Sequence, residues 1–127
     1  MELKGRPLFW TGSSLHDLRE FPESVKRVMG FALRRCQDGG RHVSAKPLKG
    51  FGGAGVLEII EDEDHATYRV VYTVKFADAV YVLHAFQKKS TRGIRTPKRE
   101  MELIKARLTR AEEHHADRSR SHHDGRD

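Results

Sequence analysis

The residues best suited to chemistry are an arginine, a histidine and several basic or aromatic residues in two consecutive strand-like segments. Arg69 stands in TYRVVYTV, and VLHAFQKKS contains His84, Phe86, Lys88 and Lys89. Because only a short turn separates these segments, we expect antiparallel neighbours with Arg69 close to Lys88 and Lys89. Cations gathered at one end of a sheet repel one another unless a polyanion binds, and a phosphate backbone is the commonest such ligand.

These residue types suit the cleavage of RNA, in which a 2′-hydroxyl attacks the neighbouring phosphate without the help of a metal. Arg69 and the lysines would stabilise the added negative charge, while His84 or a tyrosine would transfer protons. Phe86 or Tyr81 would stack on an unstacked base. The alternative interpretation is that the cations form a solvated rim and that His84 is a hydrogen-bonded strand residue.

No metal or cofactor site is expected from the sequence. The histidines are densest in a polar C-terminal stretch that offers no fixed scaffold for a metal. The glycines of residues 50–55 lack the Gly-Lys-Ser/Thr that completes a phosphate-binding loop. Cys36 is the single cysteine and occupies an apolar position of a predicted helix, so we interpret it as a small buried residue.

The charge balance favours a partner that carries negative charge. The chain has 127 residues, with 24 Lys and Arg against 18 Asp and Glu and a net charge of +6. No apolar run is long enough to span a bilayer, and the N-terminus lacks the apolar block of a signal peptide. We therefore expect a cytoplasmic protein without a membrane partner.

The first half of the chain is predicted to form a strand and two helices. The strand covers residues 6–11, a short helix covers residues 14–20, and a longer helix runs from Pro22 to Gly39. Apolar residues recur at helical spacing in the longer helix, namely Val25, Val28, Met29, Ala32, Leu33 and Cys36. Residues 41–55 are rich in glycine and lysine and are predicted to be a loop.

Three strands follow, over residues 56–61, 67–76 and 79–88, and short turns make them antiparallel neighbours. In the middle strand one face carries Tyr68, Val70, Tyr72 and Val74, and the other carries Arg69, Val71, Thr73 and Lys75. The tyrosine and valine face is predicted to pack against the long helix through Val28, Met29 and Leu33. The opposite face would keep the Arg69 guanidinium exposed.

A last helix is predicted from Pro97 to about Glu113. The closing HHADRSRSHHDGRD is low in complexity and is predicted to lack structure. The fold class is therefore α+β, with an N-terminal strand and helical hairpin packed on a small antiparallel sheet of about four strands, and with a C-terminal helix. Residues 1–113 would form the domain and residues 114–127 a polar tail.

The order of the segments resembles the phage-derived, HigB-like branch of the RelE/ParE superfamily of toxins from type II toxin-antitoxin systems. The resemblance covers residues 8–113 and rests on FWTGSSLHDLREFPESVKRVMGFALRRCQDG, KPLKGFGGAGVLEI, TYRVVYTV, YVLHAFQKKS and TPKREMELIKARL in combination. It implies a ribosome-dependent mRNA endoribonuclease that inhibits translation and needs no cofactor. It also implies a helix-turn-helix antitoxin as partner, the ribosome and messenger RNA as targets, and contact with operator DNA only through the antitoxin.

The resemblance also assigns roles to individual residues. Arg69 matches the strand arginine that contacts the scissile phosphate, and Lys88 or Lys89 matches the basic position after the last strand. Glu58 matches the acid of a Glu-Leu-Arg motif in many relatives, although the arginine of that motif is missing here. The terminal catalytic tyrosine or histidine of several relatives has no clear counterpart here, because Lys98 and Arg99 occupy that region.

Three further lysines complete the predicted RNA-binding set. Lys46 and Lys49 in the loop, together with Lys98 at the start of the last helix, are expected to contact the RNA backbone. An acidic antitoxin segment is expected to bind around Lys46, Lys49 and Arg69 and to block that contact.

Two other functions remain open from the sequence. One branch of the superfamily inhibits DNA gyrase without cleaving nucleic acid, and a non-catalytic nucleic-acid-binding module would show the same basic face. A general acid or base near Arg69 would favour the nuclease, and its absence would favour the gyrase inhibitor. Strongly salt-dependent binding without cleavage would favour the binding module.

Overall fold

The computed structural model describes residues 5–53, 55–88 and 96–124, with side chains as far as residue 121. In these residues the strands are β1 (Leu8–Trp10), β2 (Ala45–Pro47), β3 (Val56–Glu63), β4 (Ala66–Phe76) and β5 (Ala79–Lys88). The helices are α1 (Ser14–Arg19), α2 (Glu23–Gln37) and α3 (Lys98–Asp124). None of the described helices is both long and apolar enough to cross a membrane.

The strands form one five-stranded sheet in the order β1-β5-β4-β3-β2. The antiparallel arrangement of β3, β4 and β5 and the α+β fold class are confirmed. The sheet is mixed rather than antiparallel throughout, because β1 pairs with β5 in parallel, with Leu8 opposite Val80. A parallel pair requires a long connection, which helices α1 and α2 and strands β2, β3 and β4 provide here.

Two local predictions need correction around the hairpin and the loop. The predicted loop over residues 41–55 contains the short edge strand β2, in which Ala45 pairs with Ile59. The turn between β3 and β4 is tighter than predicted, because pairing continues as far as Glu63 and Ala66. Asp64 and His65 form that turn with φ values of 50° and 64°, the left-handed conformation that two-residue hairpins favour.

Helix α2 and one face of the sheet form the first core. Met29 and Leu33 of α2 are buried, as are Tyr68, Val70 and Tyr72 of β4, so the predicted contact between these faces is confirmed. The predicted members Val28 and Val74 are only half-buried. Cys36 is also buried here, as expected, and burial raises the pKa of its thiol.

Helix α3 covers the opposite face of the sheet and creates a second core, to which Val71, Leu83 and Ile104 contribute. The prediction that Arg69 keeps its guanidinium exposed is therefore wrong, since this residue is only 2% exposed. Alternation along a strand tells which residues share a face. It does not tell whether another element covers that face.

Helix α3 is longer than predicted, because it continues beyond Glu113 to Asp124. Two histidines fix this extension to the sheet: His114 Nδ1 lies 2.6 Å from the Tyr81 hydroxyl, and His115 Nε2 lies 2.7 Å from Asp78 Oδ1. The expectation that the chain lacks structure from residue 114 is therefore wrong as far as residue 124, and residues 125–127 lie outside the described part. The low hydrophobicity of the segment from residue 114 gave no indication of this contact, because polar and aromatic side chains form it.

Candidate functional site

A buried ion pair joins β3 and β4 on the face that α3 covers. Arg69 Nη1 lies 3.3 Å from Glu58 Oε2 and donates a hydrogen bond to Thr96 Oγ1 at 3.2 Å. Glu58 is 5% exposed and Arg69 is 2% exposed. Separating the two side chains of this buried pair would leave each charge uncompensated, so each side chain holds the other in place.

The register of the sheet explains why these two side chains meet. Glu58 pairs with Val71, and Ile60 pairs with Arg69, so Glu58 and Arg69 are diagonal neighbours on one face. On the other side, Lys46 of β2 stands opposite Glu58. The carboxylate therefore lies between two cationic residues on neighbouring strands.

The environment of Glu58 changes its acidity. Burial raises the pKa of this carboxyl, and this effect exceeds the opposing effect of Arg69 and Lys46, which lower it. A carboxyl with a raised pKa exchanges a proton closer to neutral pH than an ordinary glutamate does. Glu58 thus has the properties of a general base or acid.

An open cleft of about 570 Å³ leads to this pair. Its lining residues are Lys46, Pro47, Leu48, Lys49, Glu58, Thr96 and Met101. Lys46 and Lys49 are exposed, whereas Leu48 and Glu58 are buried. The cleft thus combines exposed cations, an apolar wall and a carboxyl at its base, and its volume is within the range of about 300–1,000 Å³ that is usual for small-ligand sites.

The structure brings several of the predicted site residues to this cleft. Lys46 and Lys49 line it, and Arg69 reaches it through Glu58 and Thr96. Lys98 is exposed in the first turn of α3, two residues after Thr96. Lys46 and Lys49 therefore share one surface, whereas Arg69 lies beneath that surface and does not line the cleft.

Lys88 also lies near Arg69, as the pairing of the strands predicted. Arg69 stands opposite Phe86, and Lys88 occupies the next position on the same face, opposite Thr67. Lys88 is half-buried. Lys89 lies outside the described residues.

His84 faces α3 rather than the cleft, and it is 5% exposed. Its Nε2 lies 2.6 Å from Glu100 Oε1, and Arg107 Nη1 approaches its Nδ1 at 3.2 Å. Because a guanidinium only donates, Nδ1 accepts, and Nε2 carries the proton that is donated to Glu100. Burial lowers the pKa of His84 and outweighs the contact with Glu100, which raises it.

His84, Phe86 and Arg107 connect α3 to the rest of the fold. Phe86 is buried and stacks on His84 at 4.8 Å, so its ring is covered and does not present a face to a base. Arg107 also donates hydrogen bonds to the Leu83 carbonyl at 3.0 Å and to Ser13 Oγ at 3.1 Å. His84 is therefore part of the contact between α3 and the sheet.

Sequence reasoning did not assign chemistry to Glu58 or to Thr96. A signal for Glu58 was present, because it is a single acid within the apolar stretch Val56-Leu57-Glu58-Ile59-Ile60. An acid at such a position is buried only with a partner. Thr96 had no comparable signal, because its contact with Arg69 depends on where α3 packs.

Within the part of the chain that the structure describes, no three His, Cys, Asp or Glu side chains are grouped so that they could hold a metal ion. The cleft offers one carboxylate and two lysines. This donor set suits an anionic ligand.

Comparisons with known proteins add a family and two solved structures. The family described as "Phage derived protein Gp49-like (DUF891)" matches residues 16–109. A mutant of the E. coli toxin RelE in the free state is 19% identical, with a TM-score of 0.49 over 65% of this chain and 82% of that chain. The RelBE2 toxin-antitoxin complex from Mycobacterium tuberculosis includes a chain that is 20% identical, with a TM-score of 0.45 over 67% of this chain and 100% of that chain. No curated protein matches.

Proposed function

This chain belongs to the family of phage-derived Gp49-like proteins, and we propose from that premise that it is the toxin of a type II toxin-antitoxin module. Membership in the family confirms the phage-derived branch that the order of the motifs predicted. The proposed activity is that of a cytoplasmic, ribosome-dependent mRNA endoribonuclease that inhibits translation without a cofactor.

The observation that carries this proposal is the carboxyl of Glu58 beside the guanidinium of Arg69 at the base of a cleft with exposed lysines. Cleavage of RNA by its own 2′-hydroxyl needs a base for that hydroxyl and positive charge around the phosphate. Glu58 supplies the base, and its raised pKa suits proton transfer. A general acid or base near Arg69 is the feature that favours the nuclease over the gyrase inhibitor, and the position of Glu58 supports the proposal in this way.

In the proposed reaction Glu58 accepts the proton of the 2′-hydroxyl, whose oxygen then bonds to phosphorus. The bond from phosphorus to the 5′-oxygen breaks, and that oxygen takes up a proton from water, which leaves a cyclic phosphate and a 5′-hydroxyl. Arg69 stabilises the charge that develops on the phosphate. Lys46, Lys49, Lys88, Lys89 and Lys98 hold the neighbouring backbone.

The proposed partners follow from the resemblance to HigB-like toxins. A helix-turn-helix antitoxin binds the toxin, covers Lys46, Lys49 and Arg69 and excludes RNA from the cleft. The ribosome and messenger RNA are the targets. Operator DNA is contacted only through the antitoxin.

The test compares the native chain with Glu58→Gln, which keeps the shape of the side chain and removes its ability to accept a proton. We expect messenger cleavage, measured by primer extension after induction and with purified ribosomes, to fall about 100-fold or more. Glu113→Gln is the matched control, because Glu113 is an exposed glutamate of α3. Its cleavage should equal that of the native chain.

The alternatives predict other results with the same proteins. Growth arrest and loss of gyrase supercoiling by the native chain, with intact messenger, would replace the nuclease by a gyrase inhibitor. RNA binding without cleavage or growth arrest would leave a binding module. Full cleavage by folded Glu58→Gln would remove Glu58 from the mechanism.

A further inference from the structure

Helix α2 presents a phenylalanine to solvent. Phe31 is 61% exposed, although Met29 and Leu33 of the same helix are buried in the first core. Val43, in the segment that follows the helix, is 94% exposed. The centroid of the Phe31 ring lies 6.1 Å from the centroid of the ring of His42, the residue before Val43, in an edge-to-face arrangement. Exposed apolar groups that lie together mark an interaction site more often than scattered ones do.

Arginines surround this phenylalanine. Arg27, Arg34 and Arg35 lie four residues before, three residues after and four residues after Phe31, so they share its side of the helix. All three are exposed. We call Arg27, Phe31, Arg34, Arg35, His42 and Val43 the Phe31 surface. Aromatic residues and arginine are the types enriched at the centres of protein interfaces.

The Phe31 surface and the cleft lie on different sides of the sheet. Helix α2 packs on the face that carries Val70, whereas Thr96 and Met101 of the cleft belong to the side that α3 covers. The chain nevertheless connects the two places directly. Val43 precedes Lys46 by three residues, and Lys46 lines the cleft.

We infer that the Phe31 surface is the docking site for an acidic segment of the antitoxin, whose apolar side chain covers Phe31 and Val43. This inference rests on the proposed function, because it names the surface that the partner uses. The arginines supply charge that is complementary to an acidic segment. Val43 favours a protein over RNA, since an aliphatic side chain offers neither a stacking face nor a charge to a nucleotide.

Anchoring and inhibition are therefore separate on this molecule. A segment docked on the Phe31 surface leaves the cleft open. When the antitoxin segment continues along residues 41–46, it reaches Lys46 and closes the cleft. The antitoxin thus remains attached through α2 even when RNA competes for the lysines.

The test measures binding of the product of the adjacent gene to the native chain and to variants by surface plasmon resonance. Phe31→Ala should weaken binding about 30-fold, mainly through faster dissociation, as expected for a buried anchor. Arg27→Ala should mainly slow association and reduce its dependence on salt. Leu103→Ala and Arg110→Ala are matched controls on α3, where both residues are exposed, and should bind like the native chain.

Messenger cleavage by the same variants separates this inference from the proposed function. Phe31→Ala and Arg27→Ala should cleave like the native chain, because neither residue lines the cleft. Unchanged binding by both variants, or no binding by the native chain, would overturn the docking site while leaving the nuclease intact. Normal antitoxin binding with lost ribosome-dependent cleavage would instead make this surface a contact with ribosomal RNA.

Discussion

Substitution of Arg69 tests the central electrostatic feature of the fold, because it removes the guanidinium that forms the ion pair with the buried Glu58 carboxylate. Removing one partner of a buried pair costs about 3–5 kcal/mol. For a chain of 127 residues, an unfolding entropy of about 2.1 cal/mol/K per residue converts this loss into about 11–19 °C of melting temperature. Arg69→Met should therefore melt about 11–19 °C below the native chain at pH 7.5.

The double variant Arg69→Met with Glu58→Leu removes both charges together. Apolar residues of similar size often replace a buried pair at little cost. We therefore expect the double variant to recover most of the melting temperature that Arg69→Met loses. The native chain, the two single variants and the double variant form a double-mutant cycle. Their melting, measured by circular dichroism, gives the coupling energy between Arg69 and Glu58.

The pH dependence gives an independent check on the same variant. Burial already raises the pKa of Glu58 in the native fold, and loss of Arg69 removes the larger of the two charges that lower it. A carboxyl whose pKa is raised by folding stabilises the fold at low pH and loses that contribution as the pH rises through the raised pKa. When the pH is lowered from 7.5 to 5, the difference in melting temperature between Arg69→Met and the native chain should therefore become smaller.

Two results would refute this reasoning. One is an Arg69→Met protein that melts within about 2 °C of the native chain. The other is a double variant less stable than both single variants. If the expected loss is found, an inactive Arg69→Ala protein cannot by itself show a role in catalysis, and activity must be compared below its melting temperature.

Two further predictions concern α3. Burial lowers the pKa of His84, so its contribution to stability is present above the ordinary histidine pKa of about 6.5 and declines as the pH falls below that value. The melting temperature of His84→Gln should therefore depend less on pH between pH 7 and pH 5 than that of the native chain. An unchanged dependence on pH would contradict this. Truncation after Glu113 removes the contacts of His114 with Tyr81 and of His115 with Asp78, which should lower the free energy of unfolding by about 1–3 kcal/mol. Urea denaturation measures this loss, and an equally stable truncated chain would show that the extension adds nothing to the fold.

The elements of the first core could be predicted from local patterns. Met29 and Leu33 repeat at helical spacing, and Tyr68, Val70 and Tyr72 alternate along a strand, so each pattern specifies one apolar face. A soluble fold must cover both faces, and packing them together is the simplest solution. These predictions needed no knowledge of distant contacts.

The burial of Arg69 and the orientation of His84 could not be predicted in this way. The position of Arg69 depends on Glu58 and on Thr96, which belong to segments far apart in the chain. At His84 the register shifts, because Val71 pairs with His84 while Tyr72 pairs with Val82. This bulge interrupts simple alternation, so counting along the strand gives no orientation.

The cleft could be predicted only in part, because its residues also come from segments that are far apart in the chain. The density of charge predicts RNA binding at Lys46 and Lys49, and the structure places both on the cleft. Met101, which completes the apolar wall, comes from α3. Its position depends on how a helix docks, which periodicity leaves undetermined.

The parallel pairing of β1 with β5 has a consequence for the synthesis of the protein. Leu8 pairs with Val80, so β1 has no partner in the sheet until the segment around Val80 has left the ribosome. Contacts of such wide sequence separation form late and slow the folding of a domain. The cleft is completed later still, because it requires Thr96 and Met101. A ribosome that makes this protein must therefore extend the chain beyond Met101 before the site can form.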